Sequence, residues 1–326
     1  MNGIQSEFPP QLSLIVPVYN ESSNLDLFYE RVLKVLKPLN VSYEILFIDD
    51  GSKDDSLEKL LEIRGRDSKV KVVQFSRNFG KEIAVSAGLD LAEGKAAIPI
   101  DADLQDPPEL IPSLIEKWKA GYDVVYAKRT KRMGESWLKR WTASLFYRLI
   151  AKMTNIDIPE DAGDYRLLSR AAVEQLKRLR ERHRFMKGLF TWVGFKQTAV
   201  FFERDPRYSG KTKWNYWKLW NFAIEGITSF SYIPLQAASY LGLLVSVFAF
   251  FYGVFIIVFK LLHGIAVPGY ASLMAAVLFL GGIQLLTLGI LGEYIGRIYD
   301  EVKQRPLYVI HKTYGFDNPE VQVEKQ

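Results

Sequence analysis

The sequence contains no cysteine, and only three histidines occur among its 326 residues. The absence of cysteine excludes disulfides, thiolate metal sites and cysteine nucleophiles. The histidines at 183, 263 and 311 are scattered, so none is assigned to catalysis. No GxGxxG or GxxxxGK[ST] loop follows the first apolar segment, which argues against a dinucleotide site or a P-loop. The N-terminus has neither a basic nor an apolar region of the secretory kind, so we expect no signal peptide.

Two long stretches, 226–259 and 261–292, contain no Asp, Glu, Lys or Arg. A helix needs about 20 apolar residues to cross a bilayer, and segments 235–259 and 271–292 each reach that length. The linker between them is short, which predicts a transmembrane hairpin with both ends on one side. Two buried helices of a soluble core are the alternative, and they fit this length and apolarity less well.

Basic residues lie mainly on the side of the predicted hairpin that faces the rest of the chain. That side carries Lys211, Lys213, Lys218, Arg297, Lys303 and Arg305, whereas the linker offers Lys260 and His263. The positive-inside rule therefore predicts a cytoplasmic head and cytoplasmic termini.

Two further segments, about 134–153 and 214–230, place aromatic and apolar residues opposite basic ones. This pattern is typical of helices that lie in the headgroup plane of a membrane. Packing of these helices against the head's own core is the alternative. The net charge is only +5, and the basic residues cluster near the membrane segments, so we expect no nucleic-acid binding.

The head alternates short apolar segments with helical patterns, which predicts an α/β fold with a parallel sheet. The predicted strands are 12–18, 43–49, 70–75, 96–101 and 122–127, and the predicted helices are 22–37, 54–66, 83–92 and 109–121. Ligands of such sheets bind beyond the carboxyl ends of the strands. The polar residues that follow each strand are therefore the candidates for chemistry.

Acidic residues are concentrated after the fourth strand, where Asp101, Asp103 and Asp106 fall within six residues. Helix caps and turns are the simpler explanation for single acids at such positions. Three carboxylates this close repel one another unless a cation joins them. Asp101 and Asp103 with Gln105 offer the hard oxygen ligands that suit Mg²⁺ or Mn²⁺.

Several motifs occur in an order that resembles the family 2 glycosyltransferases with the GT-A fold. In the head these are IVPVYNE, IDDGSKD, SRNFGK and DADLQDPPE, and later in the chain GDYRLLSR, RFMKGLFTWVGF, RYSGKTKW and LGILGEYIGRIY. The later motifs are similar to the polyprenyl-phosphate branch, which includes dolichyl-phosphate mannose synthases and bactoprenol glucosyltransferases. The resemblance runs from about residue 12 to 309. A Gln-x-x-Arg-Trp motif of processive synthases is missing before Arg140-Trp141, which favours single-sugar transfer.

The resemblance implies roles for particular residues. The nucleotide-binding positions are Pro17, Tyr19, Glu21, Asp50, Asp101 and Ala102, and the metal-site positions are Asp101, Asp103 and Gln105. Arg129 matches a basic residue near the phosphates, and Arg207 and Lys213 match a loop that closes over the active site. Thr212 stands where the family usually has Ser. Asp164 matches an acidic position near the acceptor, as a weak base or an orienting residue, although a turn carboxylate is nearly as good an explanation.

The function implied is inverting transfer of one sugar from a nucleotide sugar to a polyprenyl (undecaprenyl) phosphate. Glucose from UDP-glucose is the first candidate, and GlcNAc, mannose or amino-arabinose donors are alternatives. A non-catalytic lipid-carrier scaffold or flippase subunit is the non-enzymatic alternative. The expected organisation is a catalytic domain at 1–232, a hairpin at 233–298 and a tail at 299–326, in a bacterial-type inner membrane. A homo-oligomer is compatible with this reading.

Overall fold

The computed structural model describes residues 9–130, 162–202, 228–229, 231–263 and 269–316. The described residues fall into two compact units, and the chain enters the first unit twice. That unit combines the described residues up to Phe202 with those from Pro306 onward, and the second unit holds two long helices. The predicted interfacial helix at 134–153 lies outside the described residues, and so does nearly all of the one at 214–230.

The first unit is an α/β domain, as predicted. Its described strands are β1 (Leu12–Val18), β2 (Tyr43–Asp49), β3 (Val70–Phe75), β4 (Ala96–Pro99), β5 (Val124–Arg129), β6 (Ala162–Ser169), β7 (Gln197–Phe202) and β8 (Ile310–Tyr314). Its described α-helices are α1 (Leu25–Leu36), α2 (Ser56–Arg66), α3 (Lys81–Leu91), α4 (Ile111–Lys119), α5 (Arg170–Arg178) and α6 (Met186–Trp192). Short 3₁₀ turns occupy Lys37–Leu39 and Pro108–Leu110.

The strands form one sheet in the order β7-β5-β6-β4-β1-β2-β3-β8. The predicted parallel pairing holds for β1 with β2 and β4 and for β2 with β3, and β5 is also parallel to β7, a strand that was not predicted. It does not hold for β6, which lies between β4 and β5 and runs antiparallel to both. β8 is antiparallel to β3. The sheet is therefore mixed, and an antiparallel strand begins at the edge where its parallel neighbours end.

The core lies on both faces of the central strands, which explains why β1 and β2 read as unbroken apolar segments. Leu14, Ile15 and Val16 have no exposed surface, although successive strand residues face opposite sides of the sheet. α3 packs very close to β1, since a Cβ on Gly88 would lie 2.1 Å from the Ile15 side chain. A larger residue at 88 would push α3, and the residues at its N-terminus, away from the sheet.

The outer edge of β3 is covered by β8, which comes from the segment expected to be a separate tail. Tyr308, just before β8, stacks on Phe75 with ring centroids 5.3 Å apart. Its hydroxyl donates to Asp90 Oδ2 at 2.9 Å, and Arg180 pairs with the same oxygen at 2.7 Å. The chain beyond the hairpin is thus an integral part of the head's sheet.

The second unit contains α7 (Ile233–His263) and α8 (Tyr270–Val302). The segments Ile233–Phe259 and Ser272–Val302 are long and apolar enough to cross a membrane. α8 continues well beyond the end of the predicted span at residue 292. Its last part carries charged residues, and Arg297 pairs with Glu293 one turn earlier at 3.0 Å, an arrangement that favours continued helix.

Candidate active site

The loops that follow β1 and β2 are joined by hydrogen bonds, so their predicted nucleotide-binding residues lie at one edge. The parallel register pairs Val18 with Asp49, which places Tyr19 and Asp50 directly beyond adjacent strand ends. The backbone N–H of Asn20 donates to Ser52 Oγ at 3.0 Å. Farther along, the N–H of Glu21 donates to Ser56 Oγ at 3.0 Å.

Asp50 is buried and fastens the loop before α3 to the end of β2. Its carboxylate accepts the backbone N–H groups of Phe79 at 2.6 Å and Gly80 at 2.9 Å, and the Asn78 side-chain amide at 2.9 Å. Burial raises the pKa of Asp50, and the two backbone N–H groups oppose that rise. The close approach requires Gly51, which has φ +66° and lies where a Cβ would be 2.6 Å from the Arg77 backbone.

The loop after β4 alternates buried and partly exposed side chains. Ala102 and Leu104 are 2% and 3% exposed, whereas Asp101, Asp103 and Gln105 are only partly buried. Leu104 has a left-handed backbone with φ +61°, and the N–H of Gln105 donates to Asp103 Oδ1 at 3.1 Å. The alternation leaves the three predicted oxygen donors as the accessible members of the loop.

Asp164 reaches this edge because β6 is antiparallel. It lies near the start of β6, and that start is adjacent to the carboxyl ends of β4 and β5. Asp164 Oδ1 is buried and accepts no hydrogen bond from the described residues. Burial works against the carboxylate, but the charges of Lys81 and Lys187 outweigh it and hold the pKa of Asp164 well below its usual value.

Lys81, the first residue of α3, joins the two acidic positions. Its Nζ lies 2.7 Å from Asp101 Oδ2 and 2.9 Å from Asp164 Oδ2. Partial desolvation opposes the ammonium charge, but the attraction of the two carboxylates outweighs it and raises the pKa of Lys81 well above its usual value. Lys81 ends the SRNFGK motif, but the sequence alone did not assign it a role.

Two further charged residues, Arg166 and Glu82, lie near Lys81 and Asp164, and neither was predicted from the sequence. Arg166, 2% exposed on β6, donates to the Gly163 carbonyl at 2.7 Å and lies 4.1 Å from the Phe190 ring centroid. Burial lowers the pKa of Arg166 to about 10. Burial and the negative charge of Asp164 raise the pKa of Glu82 to about 8. Arg166 lies inside a strand that was not predicted, and Glu82 immediately precedes the predicted helix 83–92 without having been assigned a role.

Arg129 ends β5, as predicted, and lies beside the start of β6. Its Nη2 is 4.0 Å from the point that a Cβ on Gly163 would occupy. Its Nε is buried and donates to no described residue. Arg129 is therefore brought to the neighbourhood of Asp164, whereas Arg207 and Lys213 lie outside the described residues.

The described residues contain no preassembled group of three His, Cys, Asp or Glu side chains able to hold a metal. The donor set predicted here differs from such a group, since it comprises two carboxylates and the amide oxygen of Gln105. Carboxylate and amide oxygens fit Mg²⁺ or Mn²⁺ chemically. The metal therefore stays a prediction that depends on Asp101, Asp103 and Gln105.

Comparison with known proteins identifies related sequences over almost the whole chain. Residues 13–177 match the family model Glycosyl transferase family 2, and residues 234–298 match the model GtrB C-terminal hairpin. A protein named as an uncharacterized glycosyltransferase of Synechocystis is 55% identical over 94% of this chain and 96% of its own length. The bactoprenol glucosyl transferase of Shigella phage SfII is 51% identical over 93% of this chain and 98% of its own length.

Among solved structures, glucosyl-3-phosphoglycerate synthase from Mycobacterium tuberculosis is similar at a TM-score of 0.44. Its sequence is 20% identical, over 67% of this chain and 78% of that one. Similarity at this level carries no functional inference.

Proposed function

The chain belongs to glycosyl transferase family 2, and from that premise we propose that it transfers one sugar to a polyprenyl phosphate. The proposed donor is UDP-glucose, the acceptor is undecaprenyl phosphate, and the transfer inverts the anomeric centre. The sequence similarity to bactoprenol glucosyl transferases over nearly their full length supports the acceptor class. A glycosyltransferase is established by the family, whereas the particular donor and acceptor are parts of the proposal.

The observation that carries the proposal is that the residues proposed for the donor and those proposed for the acceptor lie at one edge of the sheet. Asp50 and the 101–105 loop follow parallel strands, and Asp164 lies near the start of an antiparallel one, yet Lys81 contacts both Asp101 and Asp164. A transferase must hold two substrates with their reacting atoms adjacent. This edge offers a place for a nucleotide sugar beside a place for a second anionic substrate.

In the proposed reaction a phosphate oxygen of the acceptor forms a bond to the anomeric carbon. The bond from that carbon to the nucleoside diphosphate breaks, and the diphosphate leaves with the electron pair. A divalent ion held by Asp101, Asp103 and Gln105 would supply positive charge for that leaving group. Arg129, Arg207 and Lys213 are the proposed cationic contacts to phosphate.

The acceptor needs little help from a base, because a phosphate monoester with a second pKa near 6 is largely ionised at neutral pH. Lys81 and Lys187 keep the pKa of Asp164 well below its usual value. A carboxylate of lowered pKa is a poor proton acceptor. We therefore assign Asp164 an orienting role beside the acceptor rather than the role of general base.

We also propose that α7 and α8 span the membrane as a hairpin, with the head and both termini in the cytoplasm. Both helices are long and apolar enough for this, and many of their large apolar side chains are exposed in the chain by itself. Apolar surface of this extent is not left exposed to water, and we propose that the lipid bilayer covers it. The lipid acceptor would then be reached from the membrane and the nucleotide sugar from the cytoplasm.

The test is transfer of radiolabelled sugar to undecaprenyl phosphate by the purified full-length protein in detergent. A panel of UDP-glucose, UDP-GlcNAc, GDP-mannose and UDP-amino-arabinose identifies the donor, and EDTA tests the metal. We expect EDTA-sensitive transfer with UDP-glucose preferred. Transfer from another donor would correct the sugar, and no transfer from any donor would refute the proposed function and favour a non-catalytic role.

Asp103→Asn tests the metal site more directly, because it removes a carboxylate charge with little change in shape. We expect it to abolish transfer and to weaken Mn²⁺-dependent UDP binding measured by calorimetry. Glu116→Gln, at an exposed position on α4, is the matched control and leaves both measurements unchanged. Near-wild-type, EDTA-insensitive transfer by Asp103→Asn would reject the metal assignment.

A further inference from the structure

Lys81 occupies a position that helix energetics disfavour. It is the first residue of α3, where the helix dipole places partial positive charge and favours acidic side chains over cations. A local preference that is broken in this way often marks a functional position. The two carboxylates that Lys81 contacts offset this cost, and both belong to the candidate site.

The backbone of Lys81 is fixed from the nucleotide side of the site. Phe79 and Gly80, the two residues before it, donate their N–H groups to Asp50 at 2.6 and 2.9 Å. Gly80 has φ +102°, a conformation that glycine adopts without strain. The loop thus directs α3, and with it the Lys81 side chain, toward the ends of β4 and β6.

The contacts of Lys81 bridge elements that the chain keeps far apart. Asp101 is 20 residues and Asp164 is 83 residues from Lys81 in sequence. The pair of contacts joins the loop after β4 to the first residues of β6. Without a cation between them, the two carboxylates would repel each other at short range.

The Lys81 side chain is also open to a ligand. Its side chain is 42% exposed, compared with 29% for Asp101 and 16% for Asp164. Ion pairs of this exposure contribute little to folding stability. An ammonium has three N–H donors, and among the described residues two of them are used by Asp101 and Asp164.

We infer that Lys81 is a substrate-positioning residue that holds Asp164 against the 101–105 loop and helps to place the phosphate monoester of the acceptor. This inference rests on the proposed function. Lys81 acts through Asp164, whose Oδ2 it holds, while the buried Oδ1 of that carboxylate accepts no hydrogen bond from the described residues. The residue thereby links the donor side of the site to the acceptor side.

The test compares Lys81→Met, Lys81→Arg and the control Lys119→Met, an exposed residue at the end of α4. For each full-length variant in detergent, we would measure KM and kcat for undecaprenyl phosphate, Mn²⁺-dependent UDP binding and the melting temperature. Lys81→Met is expected to lower kcat/KM for the acceptor at least tenfold, with UDP binding within threefold of wild type. Lys81→Arg should recover part of the loss, and Lys119→Met should match wild type.

A double-mutant comparison separates positioning from a general effect on folding. If Lys81 acts through Asp164, Lys81→Met added to Asp164→Asn should lower transfer by less than threefold further. Additive losses, unchanged acceptor kinetics in Lys81→Met, or a parallel loss of UDP binding and melting temperature would each overturn the inference. A wild-type protein that transfers no sugar would refute the proposed function and this role with it, whereas active wild type with unchanged Lys81→Met refutes only the role.

Discussion

Glu82 provides a prediction about pH and stability that depends on the environment of one carboxyl group. It is the second residue of α3, next to Lys81, and it is partly buried near the charge of Asp164. Burial and the charge of Asp164 raise its pKa from 4.5 to about 8, although Lys81 and Lys187 partly oppose the rise. Glu82→Gln removes the ionisation and keeps the shape, and a Gln oxygen can still accept the Met186 N–H.

The direction in which pH changes the free energy of unfolding follows from proton binding at Glu82. Between the unfolded pKa of 4.5 and the folded pKa of about 8, the folded chain binds more protons at Glu82 than the unfolded chain does. Ionisation of Glu82 therefore lowers the free energy of unfolding progressively as the pH rises through this window. Below the window the penalty is absent, and above it the penalty is complete.

The unfolded and folded pKa values also set an upper limit on the folding free energy that ionisation of Glu82 can remove. A tenfold change in an acid constant corresponds to about 1.4 kcal/mol, so the full penalty is at most about 5 kcal/mol. Structural relaxation and water entry reduce such penalties, and we expect about 2–4 kcal/mol. For a domain of this size that is roughly 5–15 °C in melting temperature.

The assay is thermal unfolding of the full-length protein in detergent at pH 5.5, 7.0 and 8.5. The melting temperature of Glu82→Gln should exceed that of wild type, and most of this difference should develop between pH 5.5 and 8.5. Glu116→Gln, at an exposed position, should follow the wild-type profile. A Glu82→Gln variant whose melting temperature differs from wild type by the same amount at every pH would refute the reasoning.

Tyr308→Phe should lower the melting temperature by about 2–4 °C, because it removes a hydrogen bond worth about 1 kcal/mol while Arg180 keeps its contact with Asp90; an unchanged melting temperature would contradict this. Cysteine in place of Gly264, in a chain that lacks cysteine, should react with an impermeant thiol reagent from outside intact cells, and labelling only after permeabilisation would reverse the proposed orientation. Lys213→Ala should keep the wild-type melting temperature and lose about 10- to 150-fold in transfer, as expected for one charge-assisted contact to phosphate; undiminished transfer in detergent would reject its role in the closing loop.

The central part of the fold could be predicted because its strands are buried on both faces. β1, β2 and β3 have the bounds expected from the sequence, β4 ends two residues earlier than expected, and β5 begins and ends two residues later. α3 begins two residues earlier than expected, at Lys81. That small difference matters, because it places Lys81 at the helix N-terminus rather than in a preceding loop.

Two strands that were not predicted, β6 and β8, lack the apolar pattern of a buried strand and depend on contacts with distant parts of the chain. β6 contains Asp164 and Arg166, and the buried guanidinium is tolerated because it donates to a backbone carbonyl and lies over the Phe190 ring. β8 is a polar strand, IHKTY, whose place at the sheet edge depends on pairing with β3. Neither set of contacts can be read from local periodicity, because the partners lie far away in the chain.

The direction of β6 explains why the candidate site was only partly predictable. In a parallel sheet, the residues that follow strands share one edge, and this rule led to Asp50, Asp101 and Asp103. An antiparallel strand brings its first residues to that same edge, and this applies to Asp164. The strand-end rule therefore becomes complete only when strand direction is known, and a residue that precedes or begins an antiparallel strand must be added to the candidates. The same topology accounts for Lys81. A cation at a helix N-terminus is unfavourable by itself, and here it is stabilised by the two carboxylates that the sheet brings together.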